Sequence, residues 1–187
     1  MGGLNTHIKA EAVALSKKLP EWNIIAVDLY DGISTNTREE AAQLMQGLDP
    51  KRAEAIIEGV QKKIGKNAKI ATLGWCMGGG WSLQAAIAAG NKTLACVMYY
   101  GFPEKDVTKL KTLKSDVVFI NATQDEWITK EVVEDFKTNM KAAGKKLTVK
   151  DYNAPHAFAN PSNPNFNKEF TQDAMSAVVN YLQQAGK

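Results

Sequence analysis

The chain has 187 residues, enough for one domain with a full apolar core and few for two. Hydrophobic residues make up 44% and charged residues 23%, an ordinary globular balance with no low-complexity run or Pro/Ser-rich linker. The net charge of +3 is scattered, and only two of the 23 basic residues are arginines, Arg38 and Arg52, which argues against a nucleic-acid interface.

In chain order, residues 6–19 read as a helix capped by Asn5 or Thr6 and stopped before Pro20. Residues 24–29 (IIAVDL) form an apolar run of strand length. Helical patterns follow at 37–46, with Glu39 and Glu40 suited to the first turn, and at 50–64, opened by Pro50 and ended before Gly65. Strand runs at 69–75, 94–100, 116–122 and 147–152 then alternate with helices at 77–89, 129–143 and 166–184. This alternation predicts the α/β class: βαβ units, a mainly parallel sheet and helices on both faces, in one domain. None of these runs is long enough to span a membrane. Met1-Gly2-Gly3 lacks the basic and apolar regions of a signal peptide, so the expected location is cytoplasmic, with an exported mature form left open.

Open parallel sheets gather their chemistry at the carboxyl ends of the strands. There, after the run at 69–75, stands Gly74-Trp75-Cys76-Met77-Gly78-Gly79-Gly80, a G-x-S-x-G nucleophile elbow with cysteine in place of serine. The nucleophile of such a turn has a strained backbone, and neighbours without a Cβ relieve the crowding. A helix beginning at Met77 aims its amides at the same spot, where they favour a thiolate and then an oxyanion. The bland alternative is a buried cysteine beside a phosphate-binding loop, but the Gly-Lys-Ser/Thr of a Walker loop and the G-x-G-x-x-G spacing are both missing. Cys96, inside an apolar run, reads as core, and His7 as a surface residue. The two cysteines form no disulfide framework or Cys-x-x-Cys, and no Cys/His spacing resembles a zinc site.

His156 lies in the loop after the last strand run, where the base of an elbow is expected. An acid is then needed after the strand before it, and the segment 121–127 (NATQDEW) supplies Asp125, with Glu126 beside it. Asp125 comes first off the strand and is preferred. Nucleophile, acid and histidine then follow in the order that the α/β-hydrolase topology produces.

These residues resemble the dienelactone hydrolase family, carried by Gly74-Trp75-Cys76-Met77-Gly78-Gly79, Tyr99-Tyr100-Gly101, Gln124-Asp125-Glu126 and His156-Ala157-Phe158. Asp28-Leu29-Tyr30 and Gly3-Leu4-Asn5 are similar to further stretches of that family, so the resemblance runs over essentially the whole chain. It implies an α/β-hydrolase sheet and hydrolysis of an ester or lactone through a cysteine acyl-enzyme. Met77 would donate to the oxyanion, and Tyr100, Trp75, Phe158 and Leu4 would line the substrate. The expected partner is thus a small-molecule ester or lactone, with no nucleic acid or membrane, no metal or organic cofactor, and a homo-oligomer left open.

Three departures from the family follow. The strand and acidic residue that precede the stretch like Gly3-Leu4-Asn5 are absent, so the fold is expected to lack the family's N-terminal strands, with the second oxyanion donor near Met1. Direct pairing of the segment around Val27 with that around Thr72 would then close the sheet as five parallel strands; otherwise a strand from another chain would fill the slot. Of the family's two carboxylate-binding arginines, one corresponds to Gly32 here or lies outside an alignable position, and the other corresponds to Asn160. Neutral esters or lactones are therefore expected to be at least as good as carboxylated ones. The competing reading is a truncated or non-catalytic family member that binds a ligand or partner without turnover.

Overall fold

In the computed structural model, which describes residues 2–35 and 37–187, the chain falls into two compact units, Met1–Ala68 and Lys69–Lys187. The first unit carries three helices, α1 (Thr6–Lys18), α2 (Arg38–Gln46) and α3 (Pro50–Lys63). Each starts on a side chain that accepts an otherwise orphaned amide. Asn5 takes the Ile8 amide at 3.1 Å, Thr37 the Glu40 amide at 3.4 Å and Asp49 the Lys51 amide at 3.0 Å. Asn5 thus resolves the choice of cap for α1.

The run at residues 24–29 corrects the sequence reading, because it forms no strand. Ile25 and Val27 stand 51% and 38% exposed, which is not the burial of an inner strand. At its end the chain turns instead of pairing. The Asp28 carboxylate accepts the Tyr30 amide at 2.9 Å and the Gly32 amide at 2.6 Å, and Asp31 takes a positive φ of 52°. Side-chain bonds of this local kind compete with ladder formation. The expected fifth strand, and with it direct closure through Val27 and Thr72, is absent among the described residues.

The second unit is a run of βαβ crossovers. Strands β1 (Ile70–Trp75), β2 (Thr93–Tyr99), β3 (Asp116–Ala122) and β4 (Leu147–Tyr152) are all parallel and lie side by side in chain order. They are joined through α4 (Met77–Ala89), α5 (Val107–Thr112) and α6 (Lys130–Ala142), and α7 (Lys168–Ala185) follows β4. Alternation along the strands sends Cys96, Met98, Val117 and Phe119 to one face. There they pack with Leu83 and Ala86 of α4, Leu110 of α5, and Val133, Phe136 and Met140 of α6. Helix α7 packs against β2, and Phe170 within it meets the rings of Tyr152 and Phe158. Strands buried on both faces explain the near-continuous apolar runs of β2 and β3.

Candidate active site

All the loops that concern chemistry leave the carboxyl ends of these strands. Cys76 sits between β1 and α4 with φ 56° and ψ −123°, outside the regions that side chains favour. Its amide donates to the Tyr99 carbonyl at 2.9 Å, and its own carbonyl accepts the Gly79 amide at 2.9 Å. The corner is so tight that a Cβ on Gly74 would stand 1.9 Å from the Gly78 carbonyl oxygen. A Cβ on Gly101 would stand 2.6 Å from the Cys76 carbonyl oxygen. Both positions therefore exclude any side chain. Backbone strain is concentrated here, since Cys76, Tyr100 and Ala157 all hold a positive φ, of 56°, 36° and 64°. Strain costing about 1–3 kcal/mol per residue persists only where the surroundings enforce it, typically at functional sites.

Asp125 is buried in the turn after β3, and both its oxygens are engaged. Oδ1 accepts the Trp127 amide at 2.9 Å and the Ile128 amide at 3.1 Å, while Oδ2 takes the bond from His156 Nδ1 at 2.5 Å. Burial alone would raise its pKa, but the His156 bond and the two amides outweigh burial and hold it low. The ring is thus held by Asp125, and no hydrogen bond joins it to Glu126 among the described residues.

His156 is itself buried, and its backbone carbonyl accepts the Asn165 side-chain amide at 3.0 Å. Burial favours its neutral form, yet the Asp125 bond and the Cys76 thiol raise its pKa to about 9. The Cys76 thiol is shifted the other way: burial pushes it up, and the neighbouring imidazole with the Met77 amide brings it below an ordinary thiol. Nε2 of His156 is buried without a fully formed hydrogen bond. The thiol and the imidazole thus shift each other's pKa in opposite directions without a hydrogen bond from Nε2. Cys96 differs: it is fully buried in the core, near the Ser82 hydroxyl at 3.7 Å, and burial raises its pKa to about 11.

Aromatic rings pack around the imidazole. Tyr100 lies 4.9 Å away between centroids and is backed by Phe158 at 5.6 Å. Phe158 is fully buried, so it buttresses Tyr100 and presents no open surface. Trp75 stacks on Tyr99 at 5.4 Å, and Tyr99 in turn meets Tyr100 at 5.9 Å. Leu4 belongs to the first unit, and the donor expected near Met1 lies outside the described residues. Two neighbours escaped the sequence reading. Trp127 stands edge-on to the imidazole at 4.7 Å, and Asn165 anchors the His156 carbonyl. Only the closeness of Trp127 to Asp125 along the chain could have pointed to it; nothing in the sequence singles out Asn165. No three metal-ligating side chains cluster among the described residues.

Comparison with known proteins agrees with this architecture. A model of the dienelactone hydrolase family matches residues 7–186. The carboxymethylenebutenolidase of Pseudomonas sp. (strain P51) is 32% identical over 116 residues, covering 62% of this chain and 48% of that protein. Carboxymethylenebutenolidase 1 of Cupriavidus pinatubonensis is 27% identical over 150 residues, 78% of this chain and 63% of that protein. The chain thus spans about half to two thirds of the length of these curated relatives. Among solved structures, a dienelactone hydrolase-like promiscuous phosphotriesterase from metagenomic libraries superposes with a TM-score of 0.84 at 20% identity, covering 98% of this chain and 82% of that one. The dienelactone hydrolase of Anabaena variabilis gives 0.62 at 17% identity with the same coverage of both chains. With the family pattern extending over nearly every residue, the chain belongs to the dienelactone hydrolase family.

Proposed function

We propose that this chain hydrolyses esters or lactones through an acyl-enzyme on Cys76, with His156 as its base and Asp125 orienting the imidazole. The observation that carries this reading is the buried Asp125–His156 hydrogen bond, beside a Cys76 thiol whose pKa that imidazole lowers and which stands on a strained corner. In the cycle, the Cys76 thiolate adds to the carbonyl carbon, and the Met77 amide donates to the oxyanion. The C–O bond breaks as the His156 imidazolium gives its proton to the leaving oxygen. Water then loses a proton to His156 and adds to the thioester, and the C–S bond breaks to return the thiolate. A thiolate is itself a good leaving group, so the intermediate moves forward only when the oxygen leaves readily. Activated esters and enol lactones are therefore favoured over amides. Trp75 is the side chain proposed to face the substrate, while buried Tyr100, backed by Phe158, packs the imidazole.

Hydrolysis of p-nitrophenyl acetate tests this reading. Cys76→Ala should lower kcat by on the order of 10³-fold or more, as removal of a nucleophile does. Brief iodoacetamide treatment of the unmodified chain should label Cys76, abolish turnover and spare Cys96. Full turnover by Cys76→Ala would overturn the reading. A labelled Cys76 in a chain without any turnover would favour the ligand- or partner-binding alternative.

A further inference from the structure

The imidazole of His156 has one neighbour that neither bonds to it nor buries itself. Trp127 remains 49% exposed although its ring stands 4.7 Å from the imidazole centroid, with the planes 82° apart. Large apolar surface is normally removed from water, and most other rings near the site obey this: Tyr99, Tyr100 and Phe158 are buried. The main chain that carries the indole is anchored. The Trp127 amide is fixed to Asp125 Oδ1 at 2.9 Å, so the turn that positions the acid positions the Trp127 main chain as well.

Which part of a substrate would meet it follows from the chemistry. In the proposed cycle His156 delivers its proton to the leaving oxygen, which must come within hydrogen-bond reach of the imidazole. The group carried on that oxygen must then pass beside whatever flanks the ring. The Tyr100 flank is closed by burial, and the Trp127 flank is open.

We propose that Trp127 is a specificity-determining residue that selects the leaving group, favouring an aromatic or flat apolar alcohol or enol over a small aliphatic one. This rests on the acyl-enzyme reading, and it separates the two half-reactions. The leaving group is gone before water attacks the thioester, so Trp127 acts on acylation and not on deacylation. A residue that merely positioned His156 would affect both.

The test compares benzyl acetate with ethyl acetate, which pass through the same acetyl-enzyme, in the unmodified chain and in Trp127→Ala and Trp127→Phe. Trp127→Ala should lower kcat/KM for benzyl acetate by roughly three- to twelvefold, the scale of a lost aromatic contact. The value for ethyl acetate should change less than about twofold by the same reasoning. Trp127→Phe should recover most of the loss, and single-turnover decay of the acetyl-enzyme should be unchanged in both variants. A second reading needs no turnover: benzyl alcohol should slow iodoacetamide alkylation of Cys76 in the unmodified chain, should not do so in Trp127→Ala, and ethanol should protect neither. Equal losses for both esters, or slowed deacylation, would overturn the assignment while leaving the hydrolase reading intact. No turnover anywhere, with Trp127-dependent protection by benzyl alcohol, would overturn the hydrolase reading and leave Trp127 as an aromatic-binding residue. Equal protection of the unmodified chain and Trp127→Ala would overturn the Trp127 assignment in either case.

Discussion

At His156 two opposing shifts meet: burial favours the neutral ring, while Asp125 and the Cys76 thiol raise its pKa to about 9. Cys76 moves below an ordinary thiol, so a thiolate facing an imidazolium spans the interval between the two transitions. The sign of the pH dependence follows. Acylation should strengthen as pH rises through the lowered thiol transition and weaken as His156 loses its proton near pH 9. Asp125→Asn keeps an oxygen for the Trp127 and Ile128 amides but removes the charge that raises the imidazole. It should lower kcat by on the order of 10²–10⁴-fold, the range for such an acid, and move the alkaline limb to lower pH. An unmoved alkaline limb in a pH–rate profile would remove Asp125 from that role. Asp125 and His156 were legible as partners because chain order along a βαβ sheet dictates which loops share an edge. Trp127 and Asn165 were not, since a ring edge against an imidazole and an amide on a carbonyl leave no periodicity to read.

Among the elements, the corner between β1 and α4 is the most constrained by the sequence. Gly74 leaves no space for a Cβ, with the Gly78 carbonyl oxygen 1.9 Å from where one would stand. Gly74→Ala must therefore displace the strand from the helix and with it the Cys76 amide. We expect it to lower stability by about 1–3 kcal/mol or more, as overpacking does, seen as a reduced midpoint in urea together with slower alkylation of Cys76. An unchanged midpoint would mean that the corner relaxes freely. The strands of the sheet were legible because each apolar run has a neighbour that buries it. Residues 24–29 show the limit of that logic. An apolar run looks alike whether it pairs or not, and here the Asp28 carboxylate closes a local turn at its end. Helix α5 went unseen for a different reason: its six residues, VTKLKT, are too few to establish a period, and its cap at Asp106 is visible only in the bonds to the Thr108 and Lys109 amides.

Over the whole molecule, one strand order brings the loops after β1, β3 and β4 to the same edge, so residues far apart in sequence, Cys76, Asp125 and His156, come to share one environment. Family membership fixes the architecture but not the substrate, since the chain covers 48% and 63% of the length of two carboxymethylenebutenolidase relatives. Gly32 and Asn160, which the family resemblance puts where carboxylate-binding arginines would stand, turn attention to neutral substrates. The central claim is a covalent one, that the acyl group passes through the sulfur of Cys76. The most direct measurement is the mass of the chain quenched in acid within milliseconds of mixing with p-nitrophenyl acetate, followed by peptide mapping. A single added acetyl group on the peptide containing Cys76, absent in Cys76→Ala and accumulating in His156→Ala when acylation outpaces hydrolysis, is the predicted result. Release of p-nitrophenol by the unmodified chain with no acetyl on Cys76 at any time, or with the acetyl on another residue that turns over at the rate of catalysis, would contradict it.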